Sequence, residues 1–557
     1  MVAILSGKML ADLRIITLKG KNMKTNNKRC AKVKSALIII FCLLLFGPVR
    51  TVAAVEGETT VSSGCTADEI QAALDMNAYG QYDKLTVKIP AGIYNLDTTL
   101  YIYSNTTIEA EEGAVFRKMD NHNGKESYGS ILENKLENDK GGYGNCHDIA
   151  IVGGVWDSTE VMDNSVGTET FRFIHCDNVV VKDAVLCNVP EGSHLLVLAG
   201  TSNALIENCE FYGYGVKNSN NHKEAIQLDI VHNSEIVPTA QENVVAWDDL
   251  PCKNVTIKNC DFQDFPRAIG SHTGVKGVLH DGIVITGNRI NNMSDTAIKL
   301  FNYKNTTVEN NTITNCIEGV LVYTDMKGLT GKEYMNPLSG TVAALPEDYR
   351  IVICNNEFGN MKMSGADWGD AVRIMGSSNI PISGVEVSNN TIESMERFGV
   401  YATEARNVVI VANLVSKVSK VGLYATTNCK NVSVVRNHVK NCGGYGIFLG
   451  NSLGGQIYGN TVKESGLEDA EQIHAIYVYK CGGTGKENAV HIYKNTVEGN
   501  DRAGSQGIKV STSDYVSVIG NVVRRTKDRG IYIYSSNNAE VTGNQITEAG
   551  KKGTGVN

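Results

Sequence analysis

The chain has 557 residues, a length that leaves the number of domains open. Its 52 Lys/Arg against 60 Asp/Glu give a net charge of −8, which argues against nucleic acid or an anionic membrane as a partner. The 56 glycines, 9 prolines and low charged fraction of 20% exclude a charged helical assembly and favour short apolar runs separated by tight turns.

The first element is a targeting segment. Lys24, Lys28, Arg29, Lys32 and Lys34 precede an apolar run from Ala36 to Phe46, and Val52-Ala53-Ala54 supplies small residues for cleavage. This is the layout of a secretory signal peptide over residues 1–54, with Met23 as a candidate true start. The run is shorter than the ~20 residues that span a bilayer, although an uncleaved anchor is the alternative. Residues 1–54 hold ten of the bases and a single acid, Asp12, so the mature chain carries −17. No second apolar span follows, and the expectation is a soluble, secreted monomer that binds neither nucleic acid nor membrane. The twelve cysteines beyond the signal show no zinc-like spacing. Cys176, Cys252 and Cys429 each stand three residues before a strand Val, which favours stacked, buried thiols.

From there a six-residue word, β-branched–x–x–Asn–x–apolar, recurs to the end of the chain. Its asparagines are Asn288, Asn311, Asn356, Asn390, Asn413, Asn437, Asn460, Asn495, Asn521 and Asn544, and their shortest separation is 23 residues. Earlier copies carry Cys260, Cys209 and Ala184 in the same place. A repeat of this length in Val/Ile-rich words predicts a parallel solenoid with three strands per coil. Apolar side chains stack inward, and an Asn ladder runs along a left-handed bend. Leucine-rich repeats and propellers would need a Leu-rich word or a blade of about 40–45 residues.

These words, together with Thr66 to Leu74 (TADEIQAAL) and Ile89-Pro90-Ala91-Gly92-Ile93-Tyr94, resemble the pectin-lyase-like superfamily. That resemblance implies a right-handed parallel β-helix over residues 55–557, closed at its first coil by a short amphipathic helix that Asp68 could serve. Gly153-Gly154-Val155-Trp156-Asp157 is similar to the GGxxD stretch of polygalacturonase-like glycoside hydrolases. The superfamily's hydrolases, lyases, epimerases and adhesins leave the reaction open.

A second word, Gly/Ala–apolar–x–apolar–x, opens another strand in each coil. Alternation sends its third and fifth positions outward, so stacking predicts two exposed columns. One holds Gln227, Gly270, Lys299, Leu321, Arg373 and Tyr401; the other holds Asp229, His272, Phe301, Tyr323, Met375 and Thr403. Insertions at 212–224, 230–253, 273–281, 324–349 and 359–370 flank this strand and predict walls around a groove fit for a linear polymer. Asp229 and His272 are expected one strand spacing apart, about 4.8 Å, with Lys299 a coil further on and Asp248-Asp249 in the wall.

The order Asp229, Asp248-Asp249, Gly270-Ser271-His272, Ile298-Lys299 is similar to the polygalacturonase order of Asp, paired Asp, Gly-His-Gly and Arg-Ile-Lys. The chain departs from it in Ser271-His272-Thr273 and Ala297-Ile298-Lys299. The resemblance implies a glycoside hydrolase acting on a polysaccharide or glycan without a cofactor. Asp229 would be acid or base, with Asp248, Asp249 or Glu224 as partner. His272 would orient or donate a proton, and Lys299 and Arg373 would hold hydroxyls or a uronate. Gln227, Tyr323, Tyr401 and further tyrosines (Tyr424, Tyr477, Tyr479, Tyr532, Tyr534) would meet sugar faces. Two alternatives stay open: a lyase or epimerase with Ca²⁺ clustered by Asp229 and the 248–249 pair, and a glycan-binding adhesin.

Overall fold

The computed structural model describes residues 54–120, 129–136, 138–163, 168–215, 222–234, 236, 246–324, 334–365, 367–467, 473–483, 485–500 and 505–550. The expected signal segment lies outside them, but for its last residue. No helix among the described residues is long and apolar enough to cross a membrane.

The chain is a right-handed parallel β-helix. Its strands sort into three long parallel sheets of 19, 15 and 16 strands, each coil contributing to all three in turn. One coil shows how the sequence does this. In Thr306–Glu309 the side chains of Thr306 and Val308 are buried while Thr307 and Glu309 are half-exposed, the period-2 pattern of a strand with one wet face. A bend leads to Thr312–Thr314, and another to Glu318–Tyr323. The next coil repeats the path in register, with Val308 against Ile353, Ile313 against Phe358 and Val320 against Val372. Inward Val, Ile, Leu and Phe thus form one continuous core.

The Asn ladder is present from Asn288 to Asn544. Each rung repeats one set of bonds: the Asn413 amide donates to Val387 O (2.9 Å) and to Asn437 Oδ1 (3.0 Å), and the Asn413 backbone N–H donates to that same oxygen (2.9 Å). Cys260 continues the column, donating its backbone N–H to Asn288 Oδ1 at 2.9 Å. The ladder residue is not itself left-handed. That conformation falls on the residue before it, Asn310 (φ 56°), Ala412 (57°) or Arg436 (53°) for example. The reversal there turns the following Asn inward, where only its neighbours can satisfy its amide.

The cap is the helix Ala67–Leu74. Thr66, not Asp68, is its N-cap, in a capping box with Glu69. Gln71 covers the open edge of the first coil, accepting from Tyr101 N–H (2.7 Å) and donating to Tyr101 O (3.1 Å). All twelve cysteines of residues 65–481 are free thiols, and Cys176 stacks in register on Cys146. Gly153 lets two coils approach: a Cβ there would lie 2.3 Å from Ala110 O.

The 15-stranded sheet carries the second word, and here the structure departs from the expected open groove. Strands Leu196–Ala199, Glu224–Asp229 and Glu318–Tyr323 are buried on both faces. The inserted segments fold over the outer face. Val231 pairs antiparallel with Leu250, and Gly274–Val275 pairs with Tyr334–Met335. Under them lie two small apolar clusters, one around Val197, Ala199 and Val231, the other around Phe301, Leu321 and Tyr323.

Candidate functional site

Four consecutive rungs build the site: Leu196–Ala199, Glu224–Asp229, Arg267–Gly270 and Thr296–Phe301. Their register places Ala199 against Asp229, Gln227 against Gly270, and Gly270 against Lys299. The expected Asp229–His272 neighbourhood does not form. Pairing stops at Gly270, whose φ of +154° turns the chain. Ser271 then donates its N–H to Lys299 O (3.1 Å) and its hydroxyl to Leu228 O (2.7 Å). His272 turns back along the coil, and its Nδ1 lies 2.8 Å from Glu224 Oε2.

Glu224 is therefore the hub. It is fully buried, with Oε1 3.0 Å from an Arg267 guanidinium nitrogen and Oε2 facing His272 and, at 3.7 Å, Nε2 of His194. The two imidazoles stack with centroids 5.6 Å apart. Burial pushes Glu224 up, but His272, Arg267 and His194 together outweigh it and hold the carboxyl well below its ordinary range, ionised. Burial keeps His272 below the usual imidazole range despite that carboxylate, and the nearby Lys223 Nζ, 3.1 Å from His272 Nε2, acts in the same direction. Arg267 is in turn fixed by Asp295, whose Oδ2 is 2.7 Å from its Nε.

At the other end of the strand, Asp229 is 2% exposed. Its Oδ1 accepts from Gln227 Nε2 (2.7 Å) and Thr273 Oγ1 (3.3 Å). Burial pushes this carboxyl up to about 7 against the pull of His194 and Gln227. One strand thus holds an ionised and a protonatable carboxyl. The half-buried side chains of Lys223, His272, Thr273 and Lys299 line the approach to it from solvent.

The wall carboxylates serve the wall. Asp248 Oδ1 is 3.2 Å from Nε2 of the buried His175, whose Nδ1 meets Asp139 at 2.8 Å, and Asp248 Oδ2 accepts from Gly142 N–H at 2.8 Å. Asp249 bonds His232 Nδ1 (2.5 Å) and Leu338 N–H (2.6 Å). Each pins one loop to another. Among the described residues Asp229, Asp248 and Asp249 do not come together as the calcium cluster expected of them, and the wall pair's oxygens already have donors.

The expected sugar contacts also shift. Gln227 and Tyr323 are each 1% exposed. Arg373 lies inside an ion cluster, its Nε 2.6 Å from Glu318 and 3.0 Å from Asp370, and burial pushes Glu318 up to about 8. Tyr477 is buried, with its hydroxyl 3.0 Å from Ser511 Oγ. Tyr401, Tyr424 and Tyr445 remain half-exposed. Tyr424 and Tyr445, with Phe398 and Phe448, line a shallow depression of about 450 Å³.

His194, Lys223, Arg267 and Asp295 were not among the expected site residues. A signal existed: the position just before the Gly/Ala of the second word reads Glu224, Arg267, Thr296, Glu318 and Asp370 along the chain. That polar column stacks, Glu224 on Arg267 and Thr296 on Glu318.

The model of the "Right handed beta helix region" family matches residues 172–337 and 336–485, together more than half the chain. The model of the periplasmic copper-binding protein NosD matches residues 471–557. No curated protein matches in sequence. Among solved structures, the surface adhesin PfbA of Streptococcus pneumoniae is 20% identical with a TM-score of 0.54, over 70% of this chain and 90% of that one. A family 28 exopolygalacturonase of Yersinia enterocolitica is 12% identical with a TM-score of 0.45, over 68% and 78% of the two chains. A tailspike protein of E. coli bacteriophage HK620, in complex with a pentasaccharide, is 11% identical with a TM-score of 0.46, over 85% and 76%. At these identities the likeness is one of fold.

Proposed function

The chain belongs to the right-handed beta helix region family, and from that membership we propose that it is an exported glycoside hydrolase that binds a glycan along its 15-stranded sheet. One observation carries the reading: a single strand holds Glu224, whose carboxylate meets Arg267 at 3.0 Å and His272 at 2.8 Å, and the buried Asp229, whose Oδ1 meets only the neutral Gln227 and Thr273, so the surroundings favour the anion at the first and the proton at the second. Glycoside hydrolysis needs such a pair, an acid for the leaving oxygen and an anion for the positive charge that develops on the ring. Both partners of the Asp229 carboxyl meet Oδ1, which leaves Oδ2 to carry the proton. Glu224 supplies the anion and holds His272 in place at 2.8 Å. Lys223 and Lys299 at the mouth suit hydroxyls or a uronate, and Tyr401, Tyr424 and Tyr445 offer ring faces further along. The mature chain, residues 55–557, acts as one monomeric domain.

The test is a screen of the secreted protein against neutral and uronic polysaccharides, reading both reducing ends and the absorbance of unsaturated uronates. Asp229→Asn keeps the shape and removes the proton, and is expected to cut turnover by about 10²-fold or more. Undiminished turnover would move the chemistry to another coil. Unsaturated uronates would instead mark a lyase with Lys299 or His272 as base. The aromatic depression favours a second reading, a glycan-binding adhesin. In that case ligand is bound without product, and binding survives Asp229→Asn but not Tyr424→Ala.

A further inference from the structure

Independently of the hydrolytic reading, we infer that His194, Glu224 and His272 form a binding site for a divalent first-row transition metal. Their ligand atoms all lie within 4.8 Å of one another. Glu224 Oε2 sits between the imidazoles, 2.8 Å from His272 Nδ1 and 3.7 Å from His194 Nε2. Donors bound about 2.0–2.2 Å from one metal lie about 3.0–3.5 Å apart, so shifts of about an ångström or two between the rings close the set. The carboxylate is already aimed, because Arg267 holds Oε1 at 3.0 Å and leaves Oε2 to face both rings.

His194 is the residue the apo structure leaves unexplained. It is 6% exposed, yet neither ring nitrogen has a hydrogen-bond partner. A buried imidazole in that state exchanges its hydrogen bonds to water for two carboxylate contacts at 3.7 Å and a ring stack, none of them a hydrogen bond. A metal at Nε2 repairs this, and Nδ1 then faces Glu169 Oε1, 3.7 Å away, the outer carboxylate that commonly backs a metal-bound histidine. Two imidazoles and one carboxylate with open positions suit zinc, iron or manganese. Calcium, which takes about 6–8 oxygens, does not fit. Entry is from the His272 side, whose side chain keeps 21% exposure.

The full chain, dialysed against chelator, is titrated calorimetrically with Zn²⁺ alone. One saturable site per chain is expected, together with a rise in melting temperature that Ca²⁺ does not produce. His194→Ala leaves a cavity and should melt somewhat below the metal-free wild type, but it should still fold, as its far-UV spectrum would show, while losing more than the ~10–100-fold in affinity that an outer-shell change costs. His272→Gln should lose as much, and His491→Ala, an exposed histidine on the strand Val490–Tyr493 of another sheet, should lose nothing. One equivalent of Cu²⁺ on the wild-type chain gives a readout that needs no variant: electron paramagnetic resonance should show coupling to two imidazole nitrogens. Absence of a saturable Zn²⁺ site, undiminished Zn²⁺ affinity in folded His194→Ala, or a Cu²⁺ spectrum without nitrogen coupling overturns the inference. None of these readouts involves a sugar, so their failure and that of the hydrolytic reading are distinguishable.

Discussion

Replacing Asn413 by Leu tests the ladder at its most demanding rung. Asn413 is fully buried. Its Oδ1 accepts the backbone N–H of Asn390 (2.9 Å) and one hydrogen of the Asn390 amide (3.0 Å). Leucine offers neither bond. Asn437 Oδ1 keeps a donor in the Asn413 backbone N–H, and Asn390 Nδ2 keeps Ile353 O. Two donors are therefore stranded in the core, the Asn390 N–H and its second amide hydrogen. At about 1–3 kcal/mol each, the loss is about 2–6 kcal/mol, before any strain from the larger side chain. Asn544 makes the matching bonds to Asn521, both at 2.9 Å, but on a half-exposed rung where water can replace the amide. Asn544→Leu should thus cost under about 1 kcal/mol. Thermal and urea melts of the two variants against the parent give the comparison. A solenoid can unfold in parts, so far-UV and tyrosine signals should be followed together. An unchanged melt for Asn413→Leu, or equal losses at both rungs, would refute the reasoning.

Asp229 should also leave a pH signature on stability. Burial pushes its folded pKa up to about 7 from the ordinary aspartate value of 3.8, so protonated Asp229 stabilises the fold fully below about pH 4, progressively less between, and not at all above about pH 7. That gap corresponds to about 4 kcal/mol; Asp229→Asn should lose this slope, and parallel curves for the two proteins would count against it. If Asp229 is the acid, the turnover number should fall on the alkaline side of about pH 7. Gly270→Ala places a Cβ 2.3 Å from Lys299 O at a φ of +154°. It should destabilise by about 1–3 kcal/mol and displace His272, visible as a shifted imidazole resonance; an unshifted resonance at parental stability contradicts this. Tyr424→Ala should weaken glycan binding by about 0.5–1.5 kcal/mol and lower the melting temperature less than Tyr477→Ala does, because the Tyr424 ring is half-exposed and the Tyr477 ring is buried among Tyr445 and Phe448. Calorimetry with melts separates the pair.

The sequence by itself determined the solenoid. A word recurring with Asn288, Asn311 and Asn413 at a near-constant spacing permits few other folds, because each coil must stack its β-branched residues and share its amides with the next. It also singled out the strand of the candidate site, through the insertions on either side of it. What it could not show was which outward residues meet water. Alternation placed Gln227, Asp229, Tyr323 and Arg373 away from the solenoid core, but burial on that face depends on segments around Val231, Leu250 and Tyr334–Met335, distant in the chain from much of what they cover. The partner of His272 was likewise a tertiary decision. Strand register alone sets it beside Asp229, and the turn at Gly270 sends it to Glu224 instead. Local spacing fixes a side chain's direction on a strand, whereas the protonation and partners of Glu224, Asp229 and His194 depend on charges and covering groups that only the folded chain brings within a few ångströms.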